Sequence, residues 1–294
     1  MPSLKDVQLK IVGVKKTKQI TKAMNMVASA KLRSAQGRIE RFRPYADKFY
    51  GMLGDLAGRA DGDAHPLLAV REEIKTSAIV LVTSDRGLCG SFNGNLIKAA
   101  LRLAAAKKAE GKEVKFYCVG KKGRDAIRKM ESYEIVMQKV GELNNFDFTL
   151  ANEVGMDVIR AYLAGGLDEV TLVYGEFVSM AKQEPIVLPI LPIAKEAAEE
   201  ETAPAAASSE YIYEPGVEGL LAELLPRFIK VQLYRGMLDT SASEHAARMS
   251  AMDNATKACD DMVGALTLVF NKTRQAAITT ELMDIVGGAE ALKG

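Results

Sequence analysis

The sequence predicts an α/β protein in which two long terminal helices pair and the middle of the chain forms a mostly parallel sheet. Three observations lead to this fold class. An apolar heptad repeat runs through residues 3–58, and a second periodic segment occupies residues 216–286. Between them, over residues 70–193, apolar runs typical of strands alternate with segments of helical period.

The N-terminal repeat is too long for an ordinary globular helix. Thirteen of its sixteen seam positions are apolar, which indicates one helix about 80 Å long over residues 3–58. Gly58, Asp61 and the His65-Pro66 pair should end it. The seam positions are Leu4, Val7, Ile11, Val14, Lys18, Thr21, Asn25, Ala28, Leu32, Ala35, Ile39, Phe42, Ala46, Phe49, Leu53 and Leu56.

The C-terminal segment has the same character over residues 216–286. Its single proline, Pro226, lies in the first turns, where a break costs least. The predicted helix is about 105 Å long. Because isolated helices of this kind are not stable in water, we expect the two terminal helices to pair as a coiled coil.

The middle of the chain, residues 70–193, predicts a Rossmann-like α/β domain. Strands are expected near residues 77–82, 114–119 and 134–140, and residues 169–180 and 185–193 should form a hairpin. The expected helices cover residues 95–109, 121–130 and 148–163.

These patterns divide the chain into four predicted segments. Residues 1–60 form the N-terminal coiled-coil helix, residues 70–193 the α/β domain and residues 213–294 the C-terminal coiled-coil helix. Between the last two, residues 194–212 are rich in Ala and Glu and contain Pro204, which predicts a solvated linker.

Charge is distributed unevenly along the chain. The net charge is +1, yet residues 1–58 carry twelve Lys and Arg against four acidic residues. Clustered positive charge could bind nucleic acid. However, the sequence has no aromatic residue before Phe42 that could stack on a base. Acidic protein surfaces are the favoured partners, and a merely solvated charged face is the alternative.

The sequence has no apolar run long enough for a membrane helix, and residues 1–5 resemble no targeting signal. We therefore expect the mature protein to begin here, in the cytoplasm. Cys89, Cys118 and Cys259 lie far apart, which favours reduced thiols over a disulfide framework. With only two histidines, the chain offers no evident metal site.

Two motifs suggest catalysis but are incomplete. The turn at residues 84–90 lacks both the G-x-x-x-x-G-K-[ST] and the G-x-G-x-x-G pattern, so a tight strand-to-helix turn is the simpler interpretation. Cys89 as a nucleophile would need a nearby base, and neither His65 nor His245 is placed for that role by the sequence. We expect no catalytic residue, no cofactor and no metal.

Polar residues interrupt the N-terminal seam at Lys18, Thr21 and Asn25. Such residues commonly fix the register of a coiled coil at some cost in stability. They could instead mark the place where the coil faces another protein. The sequence leaves both interpretations open.

Several long motifs resemble one family, the gamma subunits of rotary ATP synthases. They are ITKAMNMVASAKLR at residues 20–33, DRGLCG at 85–90, YIYEP at 211–215, SEHAARM at 243–249 and NKTRQAAITTE at 271–281. They occur in the family's order, and the resemblance covers essentially the whole chain.

The resemblance implies a central rotor whose terminal helices form an antiparallel coiled coil inside a hexamer of alpha and beta subunits. Met24, with Lys15, Lys16 and Lys18, would face this hexamer. At the other chain end, Arg274, Gln275 and Thr279 would form its upper contacts with the beta subunit, while Tyr211 and Glu214 would lie near the epsilon subunit and the membrane c-subunit ring.

The implied function is that of a non-catalytic shaft of a proton-translocating ATP synthase, which transmits torque and regulates ATPase activity and proton flow. Its place would be peripheral, on the cytoplasmic face of a bacterial inner membrane, with no nucleic-acid partner. An α/β enzyme with a coiled-coil oligomerisation arm is the alternative. Because the unequal helices predict an overhang, residues 271–287 should lack an intramolecular partner.

Overall fold

The computed structural model describes residues 3–57, 65–69, 71, 73–193 and 217–291. Two long helices flank a central α/β region, which confirms the predicted fold class. The helices are α1 (Leu4–Ala57), α2 (Phe92–Ala109), α3 (Lys121–Arg128), α4 (Phe148–Leu163) and α5 (Val217–Ala291). The strands are β1 (Thr76–Val82), β2 (Glu113–Val119), β3 (Glu134–Lys139), β4 (Glu169–Phe177) and β5 (Gln183–Leu191).

The five strands form one sheet in the order β3-β2-β1-β4-β5. The first four are parallel, and β5 returns antiparallel to β4 as the predicted hairpin. In the centre, Val80 is paired with Tyr117 on one side and Leu172 on the other. Strand β1 is almost completely buried, which explains why it is an unbroken apolar run.

Side chains alternate between the two faces of the sheet with the period of two expected for strands. Ile79 and Leu81 point to one face, where they pack with residues of α2 such as Leu96. Val80 and Val82 point to the opposite face and join a larger core with residues of α4 and α5. The parallel strands are thus covered by helices on both faces.

The chain divides into two compact units. One contains residues 1–28 and 249–294, and the other contains residues 29–248 with the whole sheet. Each long helix contributes to both units. The division of the sequence into four segments is not tested by these two units and stays a prediction. The predicted linker at residues 194–212 lies outside the described residues.

Helix α2 begins at Phe92, three residues before the position expected from the sequence. The reason is tertiary. Phe92 and Asn93 are buried, and the amide of Asn93 bonds with Ser84 in the preceding turn. The sequence pattern alone gave no sign that this polar side chain would be internal.

Gly120 occupies the tight connection between β2 and α3. Its φ is +104°, and a Cβ placed there would lie 2.0 Å from the carbonyl oxygen of Thr83. Its own N–H donates to Lys139 O at 2.7 Å. Backbone conformation and space therefore both require glycine at this position.

Replacing Gly120 with alanine should destabilise the protein by about 3 kcal/mol or more, because the methyl group meets rigid backbone. Gly37 is the matched control, since it lies within α1 and its Cβ position has no atom within 4 Å. Gly37→Ala should instead stabilise by up to about 1 kcal/mol. Urea unfolding measures both changes. Equal stability of the two variants would contradict this account of Gly120.

Candidate functional site

Polar residues of α1 and α5 meet inside the coil formed by residues 1–28 and 249–294. The Oγ1 atoms of Thr21 and Thr256 lie 2.8 Å apart, and Thr21 is only 8% exposed. One turn along α1, Asn25 Nδ2 donates to Met249 O at 2.9 Å. As residue numbers rise in α1 they fall in α5, so the two helices are antiparallel. These contacts favour the register interpretation of the polar positions.

Of the three predicted lysines, Lys18 differs from its neighbours. Its ammonium pairs with Asp260 of α5, and both side chains are more than one third exposed. Exposed pairs contribute only about 0–1 kcal/mol, so this contact serves register more than stability. Lys15 and Lys16 are exposed. The structure therefore separates a seam lysine from two that face outward.

Exposed apolar side chains accompany the basic residues of α1. Met24 is half-buried, whereas Ile20, Met26 and Val27 are each more than half exposed. These three residues fall off the heptad seam, so the apolar repeat did not predict them as contact residues. The signal was available, because large apolar residues at outward heptad positions predict a contact surface.

The end of α5 extends beyond its antiparallel partner. Helix α1 begins at Leu4, 14 residues before Lys18, and the equivalent position in α5 lies about 14 residues beyond Asp260, near Arg274. Every described side chain from Ile278 to Ala291 is exposed. Within the described residues, α5 therefore runs past its α1 partner from about Arg274, three residues later than the predicted residue 271, and its exposure is unbroken from Ile278.

The predicted contact residues of this overhang are accessible. Arg274, Gln275 and Thr279 are all exposed, and the Thr279 hydroxyl donates to Gln275 O at 3.0 Å. The apolar residues around them are unusually open to solvent for their size. Their exposed fractions are 49% for Ile278, 57% for Leu282, 67% for Met283, 68% for Ile285 and 57% for Val286.

Tyr211 and Glu214 lie outside the described residues. Their predicted contacts near the epsilon subunit and the ring stay predictions.

The turn after β1 lies where α/β proteins often bind ligands. The chain leads from β1 to β2 on one side and the sheet continues to β4 on the other, so this strand end is a topological switch point. In this protein, polar groups of the turn form hydrogen bonds with the start of α2. Ser84 N donates to Asn93 Oδ1 at 3.0 Å, and Asn93 Nδ2 donates to Ser84 Oγ at 2.8 Å. Leu88, at φ +63°, is 65% exposed.

A side chain from α5 contacts this turn from the other side. Arg248 donates through Nη2 to Gly87 O at 3.1 Å and pairs with Glu244 at 2.7 Å. Both side chains are at most 10% exposed. The carbonyl of Gly87 is thus bound by a guanidinium of the same chain, in the turn where nucleotide-binding α/β folds direct backbone N–H groups at a phosphate.

Neither Cys89 nor His245 is prepared for nucleophilic chemistry. Burial raises the pKa of the Cys89 thiol, against a smaller opposing effect of Arg248. Burial lowers the pKa of His245 to about 4, and the positive charges of Arg248, Lys31 and others act in the same direction. At neutral pH the thiol is protonated and the imidazole is a weak base, which is the reverse of an activated pair.

Within the described ranges, no group of three or more His, Cys, Asp or Glu is placed to hold a metal ion. No helix among the same residues combines the length and the apolar character that crossing a membrane requires.

The buried His245 should make stability depend on pH. Its folded pKa lies below the unfolded value of about 6.5, so the unfolded chain binds more protons between pH 4 and 6.5. The free energy of unfolding should therefore gain up to about 1.4 kcal/mol per pH unit from this residue as pH rises through that window.

Urea unfolding of wild type and His245→Gln at several pH values isolates this contribution. Asp239, whose pKa is raised to about 6, has the opposite slope and is common to both proteins. The stability of wild type relative to the variant should fall as pH drops from 6.5 to 4. A difference that does not change with pH would show that His245 is protonated alike in both states.

Comparison with known proteins places the whole chain in one group. The family model described as ATP synthase matches residues 3–292. The ATP synthase gamma chain of Nitratidesulfovibrio vulgaris strain Hildenborough is 76% identical over the full length of both chains, and that of Maridesulfovibrio salexigens is 72% identical over the same extent.

Solved structures agree with this result. A chain from the central stalk and c-ring of the Tetrahymena thermophila mitochondrial ATP synthase matches with a TM-score of 0.61 and 27% identity, covering 80% of this chain and 99% of that one. A chain of the Euglena gracilis mitochondrial ATP synthase has the same fold, with a TM-score of 0.65 at 21% identity over 98% and 94% of the two chains. The chain therefore belongs to the ATP synthase family as a gamma chain, the central stalk of the rotary complex.

Proposed function

We propose that this gamma chain is a non-catalytic shaft that transmits torque between a membrane c-subunit ring and the catalytic alpha/beta hexamer of a proton-translocating ATP synthase. An asymmetric shaft contacts equivalent catalytic sites differently, so its rotation changes their relative nucleotide affinities. The chemistry would belong to the surrounding subunits.

The exposed end of α5 is the observation that carries this proposal. A helix with a broad apolar face normally buries that face against other parts of a protein. Residues 278–291 are exposed all round, and five large apolar side chains are among them. A surrounding ring of subunits would bury these side chains, with Arg274, Gln275 and Thr279 as polar contacts.

The outward face of α1 supports the same kind of contact. Lys15, Lys16, Ile20 and Met26 are exposed on α1, and Met24 is partly accessible. Apolar contact area combined with positive charge fits an acidic partner surface. We infer that this face meets the hexamer and that Lys18 acts mainly within the coil.

The remaining partners follow from assembly. The epsilon subunit and the ring would bind the unit that contains the sheet, with Tyr211 and Glu214 among the contacts. The chain would then be peripheral, at the cytoplasmic face of a bacterial plasma membrane. The bacterial gamma chains at 72% and 76% identity favour this location.

An α/β enzyme with a coiled-coil arm is the second candidate. It would need a ligand site at the switch point, where Arg248 binds the turn, or an activated nucleophile, which the pKa values of Cys89 and His245 do not favour. Reconstitution with alpha and beta subunits separates the two. A shaft is required for coupled ATPase activity of the complex, whereas an enzyme turns over alone.

Ending the chain after Asn271 should weaken assembly with alpha and beta subunits by at least about tenfold, because the contact surface at the end of α5 is lost. Complexes that still form should show reduced coupling of ATP hydrolysis to proton pumping. Thermal unfolding of the unit at residues 29–248 should stay unchanged, since it contains no removed residue.

Substitutions that keep the helix give a cleaner test of the same surface. Ile278→Gln with Leu282→Gln should weaken assembly, whereas Leu163→Gln, an exposed apolar residue at the end of α4, should have no effect. Assembly is measured by sedimentation of the reconstituted complex. Full assembly and coupling of both the truncated and the substituted chain would contradict the proposal.

Reversing Lys15 and Lys16 to glutamate should slow assembly most at low salt, because exposed charges act over about 10 Å at 0.1 M ionic strength. Lys98→Glu with Arg102→Glu makes the same charge change on exposed residues of α2 and serves as the control. The measurement is the association rate at several salt concentrations. A salt dependence identical in the two double variants would exclude a specific role for the α1 pair.

A further inference from the structure

A groove of about 360 Å³ lies between α1, the end of β4 and α5, within the unit that contains the sheet. Its wall includes the seam residues Ile39, Phe42 and Ala46 of α1, but no residue of the turn described above. Its lining combines aromatic rings with charged side chains of both signs. The lining residues are Ile39, Phe42, Arg43, Ala46, Asp47, Tyr50, Glu176, Phe177, Arg235, Leu238 and Asp239.

The aromatic rings of the groove are held by their own neighbours. Phe42 packs edge-on against Tyr234 with ring centroids 4.9 Å apart. Tyr50 packs in the same way against Phe228 at 5.7 Å. The groove wall is therefore ordered before any ligand arrives, which lowers the entropic cost of binding.

Carboxylates outnumber guanidinium groups around these rings. The groove is lined by three carboxylates, Asp47 of α1, Glu176 of β4 and Asp239 of α5, and by two guanidinium groups, Arg43 and Arg235. Aromatic faces combined with an excess of carboxylate are the surroundings that proteins use to bind organic cations. We propose that this groove receives the cationic side chain, an arginine or a lysine, of another polypeptide.

The titration of Asp239 supports this assignment. Burial raises its pKa to about 6, with a further contribution from Glu176, although Arg235 and Arg43 oppose the change. The two guanidinium groups thus do not fully offset the free-energy cost of burying the ionised carboxylate. A third positive charge in the groove would favour the ionised form and would be bound more tightly by it.

The acidic segment of this chain is a poor occupant. Residues 194–216 carry six glutamates and a single lysine, so their charge resembles that of the groove rather than complementing it. Charge complementarity points to a different polypeptide. This inference rests on the proposed function only for the complex used in the second experiment below.

The first experiment uses the isolated full-length chain and the peptide acetyl-Gly-Arg-Gly-amide, with acetyl-Gly-Gln-Gly-amide as the neutral control. Carboxyl carbon NMR should show that only the arginine peptide lowers the pKa of Asp239. Its affinity should be about tenfold higher at pH 7 than at pH 5, because deprotonated Asp239 is the binding form.

Asp239→Asn should remove this pH dependence, whereas Asp125→Asn, the same change on α3, should preserve it. A change in folding alone would not alter the pH profile in this way. Binding of the arginine peptide by Asp239→Asn with an unchanged profile, or no binding by the wild type, would overturn the proposal.

The second experiment identifies the source of the cation. Phe177 is replaced by the photoreactive p-benzoylphenylalanine, which keeps an aromatic ring in the groove, and the purified reconstituted complex is irradiated. The expected product joins position 177 to a neighbouring subunit within a few residues of an arginine or lysine. A crosslink only to this chain, or to a subunit segment without a basic residue, would exclude a basic side chain of a partner as the occupant.

The two experiments separate failure of the inference from failure of the proposed function. Failure of the wild-type chain to assemble would count against the proposed function, and the peptide result would still decide whether the groove binds cations. Normal assembly without the expected crosslink would count against the groove alone.

Discussion

The antiparallel pairing of α1 with α5 is the constraint on which the other features depend. In the unit that contains the sheet, small residues allow the two helices to pack closely, and Ala35 of α1 packs with Ala242 and Ala246 of α5. The same helix α5 also covers the sheet. At Gly236 an added Cβ would lie 2.9 Å from Cδ2 of Leu172, so the glycine leaves room for this side chain of β4 against the helix.

The parts of the fold that sequence reasoning predicted are those governed by a local period. The heptad repeat of residues 3–58 corresponds to α1, and the apolar run at 77–82 corresponds to β1. The helix expected at residues 148–163 corresponds to α4, where the structure shows Asp147 capping the first turn by accepting from Thr149 N at 2.9 Å and Gly165 following the end. Such features require no knowledge of the rest of the chain.

Features formed by distant residues could not be predicted in this way. Arg248 and Gly87 are separated by 161 positions, and no pattern in either segment announces their hydrogen bond. The groove is similar, since Phe42, Glu176 and Asp239 come from three elements that only the tertiary fold brings together. The outward apolar residues Ile20 and Met26 are a different case. Their apolar side chains at outward heptad positions were visible in the sequence, but the prediction used only the seam positions.

The exposed end of α5 has a consequence for the life of the chain before it joins a complex. An unassembled copy exposes these apolar side chains to chaperones and proteases, and an open helix end is readily cleaved. Newly made copies would survive in proportion to the partner subunits that cover Ile285 and its neighbours. Degradation of unassembled gamma chains would thereby match their number to the number of complexes without a dedicated regulator.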